Sequence, residues 1–151
     1  MKLRSLPPAA VVALSLLSAA VSAIVPIPAR AQTPPTNCAT VEVQNVRPEQ
    51  GMLMIAAYAD AASFNKTPVV ATQMKAGAAT MTFPLCGLSG TWVALTLYQD
   101  LNGNGKLDAN AFGIPSEPWG ASGKPAAMSA PTWETTSVSL DGTTIVVKLS
   151  K

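Results

Sequence analysis

One nine-residue run in this 151-residue chain places oxygen-bearing side chains at alternate positions: Asp100-Leu101-Asn102-Gly103-Asn104-Gly105-Lys106-Leu107-Asp108. The spacing is that of the opening of an EF-hand-like calcium loop. In such a loop positions one, three and five supply side-chain oxygens, a glycine at six makes the sharp turn, and position seven offers its backbone carbonyl. Asp100, Asn102 and Asn104 fill the first three places, Gly105 the turn, Lys106 the carbonyl position, and Asp108 stands at nine. Leu107, at eight, is expected to point into the core and pin the loop. Position twelve departs from the pattern. Ala111 stands where a bidentate glutamate belongs, so a further oxygen would have to come from Asn110 or Glu117. Calcium is the one cofactor suggested, and with only Asp100 and Asp108 charged its affinity is expected in the extracellular range of about 10⁻⁴ to 10⁻³ M. The same residues suit a second role, in which Asp and Asn side chains bind the loop's own backbone and the glycines supply positive φ.

Asp100, Asp108 and Glu117 are also the residues from which a hydrolase would be built. A glycosidase needs two carboxyl groups at a set separation flanking the bond. Nothing in the spacing sets that separation, and loop or metal oxygens explain these acids better. Ser122 and Lys124 form a Ser-x-Lys pair without further context and are read as a solvated turn. Trp92, Trp119 and Trp133 offer flat faces suited to sugar rings and other apolar planes. Trp133, beside the final hairpin, is expected in the core, and Trp92, out of phase with Val93, Leu95 and Leu97, on the second side of its strand. Trp119 is expected to be the most exposed, sharing a ligand surface with Glu117. The chain has no histidine, which removes Ser-His-Asp and Cys-His catalysis, His-ligated zinc and proximal-His haem.

Residues 1–31 are read as an export signal. Lys2 and Arg4 form a basic start, Ala9 to Val25 is almost wholly apolar, and Pro26 and Pro28 end any helix. Ala29-Arg30-Ala31 supplies the small residues of a signal-peptidase site, so cleavage is expected after Ala31, with Ala23 the second candidate. The apolar run nearly reaches spanning length, which makes an uncleaved anchor the alternative. No lipobox precedes Cys38. The expected location is the periplasm or the medium, with no membrane span after cleavage. The full chain carries 10 basic and 8 acidic residues; cleavage would leave 120 residues with 7 basic and 8 acidic, reversing the sign of the net charge. No stretch concentrates Lys and Arg, so a nucleic-acid partner is not expected. At 48% hydrophobic and 12% charged the chain suits one folded domain, placed at residues 38–151 after a flexible leader at 32–37.

The mature chain reads as strands. Val41 and Val43 alternate with polar neighbours, and Met52 to Ala59 is an apolar run opened by the turn Arg47-Pro48-Glu49-Gln50-Gly51. Ala61 to Lys66 suits one helical turn, and Val69 to Lys75 a weak strand. Met81, Phe83 and Leu85, then Val93, Leu95 and Leu97, alternate again. Thr136, Val138 and Leu140 are expected to pair with Ile145, Val147 and Leu149 through an Asp141-Gly142 hairpin turn. About seven short strands and no amphipathic helix predict an all-β fold, an antiparallel β-sandwich. Between Gln99 and Trp133 the strand pattern stops, and a loop of that length is usually functional or disordered. Two cysteines in an oxidising compartment have one intramolecular pairing, so Cys38 and Cys86 are expected to form a disulfide from the start of the first strand to the loop before the fourth.

Tyr98 to Asp108, followed by Phe112-Gly113-Ile114-Pro115-Ser116-Glu117-Pro118-Trp119-Gly120-Ala121-Ser122, resembles the bacterial family called domain of unknown function 2141. That family shows D-x-N-x-N-G-K-L-D, G-x-P-x-E and aromatic-Gly-Phe-Ser segments in this order, and Pro131-Thr132-Trp133-Glu134 resembles its Pro-Thr-Phe-Glu segment. Ala121 stands where the family usually has Phe. The resemblance implies an exported sandwich of transthyretin-like or immunoglobulin-like character, and no activity. The reading that follows is a non-enzymatic exported module with a protein or glycan partner. The alternatives are a carbohydrate or small apolar ligand binder using tryptophan near the loop and, least supported, a carboxylate hydrolase.

Overall fold

The computed structural model describes residues 37–126, 129–142 and 144–150; the expected signal segment at 1–31 and all of the leader except Asn37 lie outside them. The described elements are β1 (Cys38–Gln44), β2 (Met52–Tyr58), β3 (Val70–Lys75), β4 (Thr80–Cys86), β5 (Trp92–Asp100), β6 (Trp119–Ala121), the single helical turn α1 (Trp133–Thr136), β7 (Ser137–Ser139) and β8 (Ile145–Lys148). They form two sheets, one in the order β4-β1-β8 and one in the order β3-β2-β5-β6, with β7 also paired to β5. The all-β sandwich is as expected, with eight strands in place of about seven.

Alternation decides which side of each strand faces the other sheet. Val41 and Val43 of β1, Leu53, Ile55 and Ala57 of β2, and Val93, Leu95 and Leu97 of β5 are buried and belong to one cluster with Val147 and Leu149. Each such side chain withdrawn from water contributes about 1.5–3 kcal/mol. The outer face of β2 and β5 is partly covered as well. Tyr58, Phe64 and Ala94 form a second, smaller cluster there, against which Trp133 packs. That cover explains why the end of β2 at Ala56 and Tyr58 is apolar on its outer face.

The last two strands depart from expectation. Instead of pairing with each other, β7 pairs antiparallel with β5 at residues 92–94, and β8 pairs parallel with β1. The Asp141-Gly142 turn, with Gly142 at φ 90°, therefore carries the chain from one sheet to the other. Period-two alternation identifies the core side of a strand but not its neighbour. Here β6 occupies β5 only at residues 96–98, leaving the rest of that edge open to β7. Cys38 lies directly opposite Cys86 and is bonded to it; Cys86 is the last residue of β4, not part of a loop preceding it.

Along the other side of the molecule the sheets approach through β6 and β8. The Ser150 N–H donates to the Trp119 carbonyl (2.7 Å), and the Trp119 N–H donates to the Ser150 hydroxyl (3.0 Å). A Cβ at Gly120 would stand 2.7 Å from the Lys148 carbonyl oxygen, so glycine is required by this close approach.

Candidate functional site

The loop at 101–118 grows from the buried end of β5. Gln99 is fully buried, and its amide clamps the turn between β1 and β2: Nε2 donates to the carbonyls of Arg47 (2.7 Å) and Gln50 (2.6 Å), while Oε1 accepts from the Arg47 N–H (2.9 Å). Asp100, only 3% exposed, accepts three backbone N–H groups of the loop. Oδ1 takes Gly103 (2.7 Å) and Asn104 (3.2 Å), and Oδ2 takes Gly105 (2.7 Å). A carboxylate withdrawn from water needs such donors, and N–H groups aimed at an ionised acceptor bind it strongly.

The pattern repeats outward. Asn102 Oδ1 accepts from the Asn104 N–H (3.0 Å), and Asn104 Oδ1 from the Lys106 N–H (2.8 Å). Their amide groups turn to Asp108, Asn102 Nδ2 at 2.6 Å and Asn104 Nδ2 at 3.0 Å from both carboxylate oxygens. Gly103 and Gly105 adopt φ of 76° and 75°. The Tyr98 hydroxyl donates to the Gly105 carbonyl (2.9 Å), and its pKa is raised by burial, with the Asp100 and Glu117 charges adding to it.

Glu117 joins the two ends of this turn. Its Oε1 accepts the Leu101 N–H (2.8 Å) and its Oε2 the Asp108 N–H (3.0 Å). The expectation that Glu117 shares a ligand surface with Trp119 is therefore corrected. It is 6% exposed, because its carboxylate serves the loop from beneath. Asn110 stands apart in a second turn, where Oδ1 accepts from Phe112 (2.9 Å) and Ile114 (3.1 Å), and Ala109 bridges to Pro115. The structure thus brings Asn102, Asn104 and Asp108 into direct contact and ties Asp100 to them through the shared Asn104 N–H. Lys106 enters through its N–H. Among the described residues no group of three or more His, Cys, Asp or Glu side chains is placed to hold a metal ion.

Leu107 does not point into the core. It is 38% exposed and lines a groove on the outer face of the five-stranded sheet. This groove, about 550 Å³, has Thr96, Tyr98 and Trp119 of the sheet as its floor and is lined further by Leu107, Ile114 and Pro115 of the loop and by Asn65 and Pro131. A shallower depression of about 370 Å³ continues from Thr96 and Tyr98 across Met54 and Gln73. Trp119 is half-buried in the groove floor, and Trp92, not Trp119, is the most exposed tryptophan, at 52%. Trp133 packs edge-on to Phe64, with ring centroids 6.4 Å apart.

A family model described as an uncharacterized protein conserved in bacteria, DUF2141, matches residues 41–148. The chain belongs to the DUF2141 family. No curated protein and no solved structure matches it. In DUF2141 terms, the segments that carry the resemblance are parts of one assembly. The D-x-N-x-N-G-K-L-D segment is the self-bonded turn, and the glutamate of G-x-P-x-E is the Glu117 strut beneath it. In Trp119-Gly120-Ala121-Ser122, Gly120 admits β8. Ser122 is fully buried, not a solvated turn residue: its hydroxyl donates to the Thr136 carbonyl (2.7 Å) and accepts the Leu95 N–H (2.8 Å), bridging the gap between β6 and β7 along β5. Sequence reasoning missed Gln99 and misread Ser122 because one buried amide and one buried hydroxyl leave no periodic signal.

Proposed function

We propose that this DUF2141 protein is an exported, non-catalytic binding module whose groove takes a sugar ring or a similarly flat small ligand from a glycan partner. The observation that carries the reading is the groove itself. An aromatic floor of Tyr98 and Trp119 lies beside the polar side chains of Asn65 and Thr96, within the size range of small-molecule sites. The self-bonded loop supplies part of the lining, so that part is preformed and little ordering is needed on binding. A non-catalytic role is supported by the acids. Asp100 and Glu117 are buried with their oxygens on loop N–H groups, which leaves neither aimed at a substrate. Periplasmic or secreted location is supported by the Cys38–Cys86 disulfide, a bond that persists in oxidising compartments.

A second reading rests on the kind and spacing of the oxygen-bearing side chains in the turn, whose amide groups would have to rotate away from Asp108 to admit an ion. Weak calcium binding at the turn would use the oxygens of Asp100, Asn102, Asn104 and Asp108 and the Lys106 carbonyl. The donor set fits a hard cation in kind, and its low charge fits millimolar affinity. A thermal melt with calcium and then chelator tests it: no shift in midpoint at millimolar calcium ends the metal proposal.

Tryptophan emission titrated with a panel of neutral glycans tests the main reading. A saturable change that Trp119→Ala abolishes is expected. Binding that survives Trp119→Ala unchanged places the ligand elsewhere and refutes it.

A further inference from the structure

A second cleft lies at the other end of the outer face, about 27 Å along β5 from Asp100 at the usual strand rise. Trp92, the first residue of β5, is 52% exposed there, while Val93 and Ala94 beside it are buried. Trp133 stands across the cleft as the first residue of α1. Its position is fixed from behind, since it meets Phe64 edge-on and Phe64 in turn meets Tyr58 at 5.2 Å. Between the two tryptophans the cleft encloses about 570 Å³, open to solvent, with Thr91 and Ser137 in its lining.

Its charge is of one sign. Asp60 and Glu134 are the charged residues of the lining, and neither Lys nor Arg takes part in it. Among the described residues the one ion pair is Lys75–Glu49, so neither carboxylate of the cleft has a cationic partner within them. Both acids are held below the ordinary carboxylate range. The Ser63 N–H does this for Asp60, aided by the Ser63 hydroxyl, and for Glu134 its own backbone N–H does so, aided by the Thr132 hydroxyl. At neutral pH the cleft therefore presents two negative charges beside two indole rings.

A hard metal ion would need more oxygen ligands than this. A neutral sugar could use the two carboxylates as hydrogen-bond acceptors, but it would leave their net charge unbalanced. A soft cation with an apolar periphery satisfies both parts, its charge attracted by ring faces and carboxylates and its methyl groups packed on the indoles. We infer that this cleft binds a small soluble molecule bearing a quaternary ammonium group, at a site separate from the groove over Tyr98 and Trp119.

The test uses choline as the probe and 3,3-dimethylbutanol, its uncharged isostere, as the control. Tryptophan emission of the full exported chain is followed as each is added. Choline is expected to give a saturable change in the millimolar range, and the isostere about two- to fivefold weaker binding, as loss of a solvent-exposed cation–π contact implies. Trp92→Ala is expected to weaken choline binding by a similar factor, while Trp119→Ala leaves it unchanged. The double variant Asp60→Asn, Glu134→Gln changes only exposed side chains and is expected to weaken binding several-fold with the fold intact by circular dichroism. Equal affinity for the uncharged isostere, no saturable response to choline, or undiminished binding by the charge variant would each overturn the inference.

Discussion

Replacing Glu117 by alanine isolates the strut that holds the loop. The variant leaves the N–H groups of Leu101 and Asp108 without their acceptor at a position where the wild-type side chain is 6% exposed. Hydrogen bonds to a charged group contribute about 1.5–3 kcal/mol each. The two together amount to about 3–6 kcal/mol, a large part of a typical domain stability of about 5–15 kcal/mol. For a domain of this size that lowers the melting midpoint by roughly 10–30 °C. At high pH the Glu117 charge also acts on the Tyr98 phenol, so the comparison is made near neutral pH. Glu117→Gln keeps one acceptor oxygen but turns an NH2 group toward the other N–H, so it is expected to fall between wild type and Glu117→Ala. Urea unfolding gives the energies, and amide exchange at Leu101 and Asp108 reports whether the predicted N–H groups are those set free. A Glu117→Ala variant within about 1 kcal/mol of wild type, with exchange unchanged at both amides, would refute the strut.

Gly51→Ala is expected to be strongly destabilising in the same unfolding assay, because φ is 61° there and a Cβ would collide with the Asp100 carbonyl. Retained wild-type stability would show that the β1–β2 turn does not meet β5 in this way. Reducing the Cys38–Cys86 bond, which closes a separation of 48 residues, should cost about 4 kcal/mol by the chain-entropy estimate; melting with and without reductant measures it. Tyr98, with its pKa raised above 10 in the folded state, contributes stability that is fully present below pH 10 and is lost as pH rises through the folded value. Melting midpoints from pH 9 to 12 should therefore fall more steeply for wild type than for Tyr98→Phe, and parallel curves would contradict this.

The strands were legible in the sequence wherever one face is buried and the other is wet. Val41 and Val43, or Leu95 and Leu97, announce their own burial. Their partners were not legible, since Val138 and Val147 show the same alternation whether β7 and β8 pair together or, as found, in separate sheets. Asp/Asn spacing marked the loop, and the structure shows the same oxygens taking backbone N–H groups, a use that leaves an identical sequence pattern. Leu107 was misplaced because the position beneath the turn is filled by the buried carboxylates of Asp100 and Glu117, which turns the leucine toward the groove. The groove itself has no sequence signature. It is assembled from β5, β6 and three connecting segments, and only Trp119 among its residues could be nominated in advance.

Backbone and indole chemical-shift mapping with a glycan found to bind locates the ligand on the surface. Shifts are expected at Thr96, Tyr98, Leu107, Ile114 and the Trp119 indole alone, with Trp92 silent. Shifts centred on any other surface, with these five unmoved, would contradict binding in the groove.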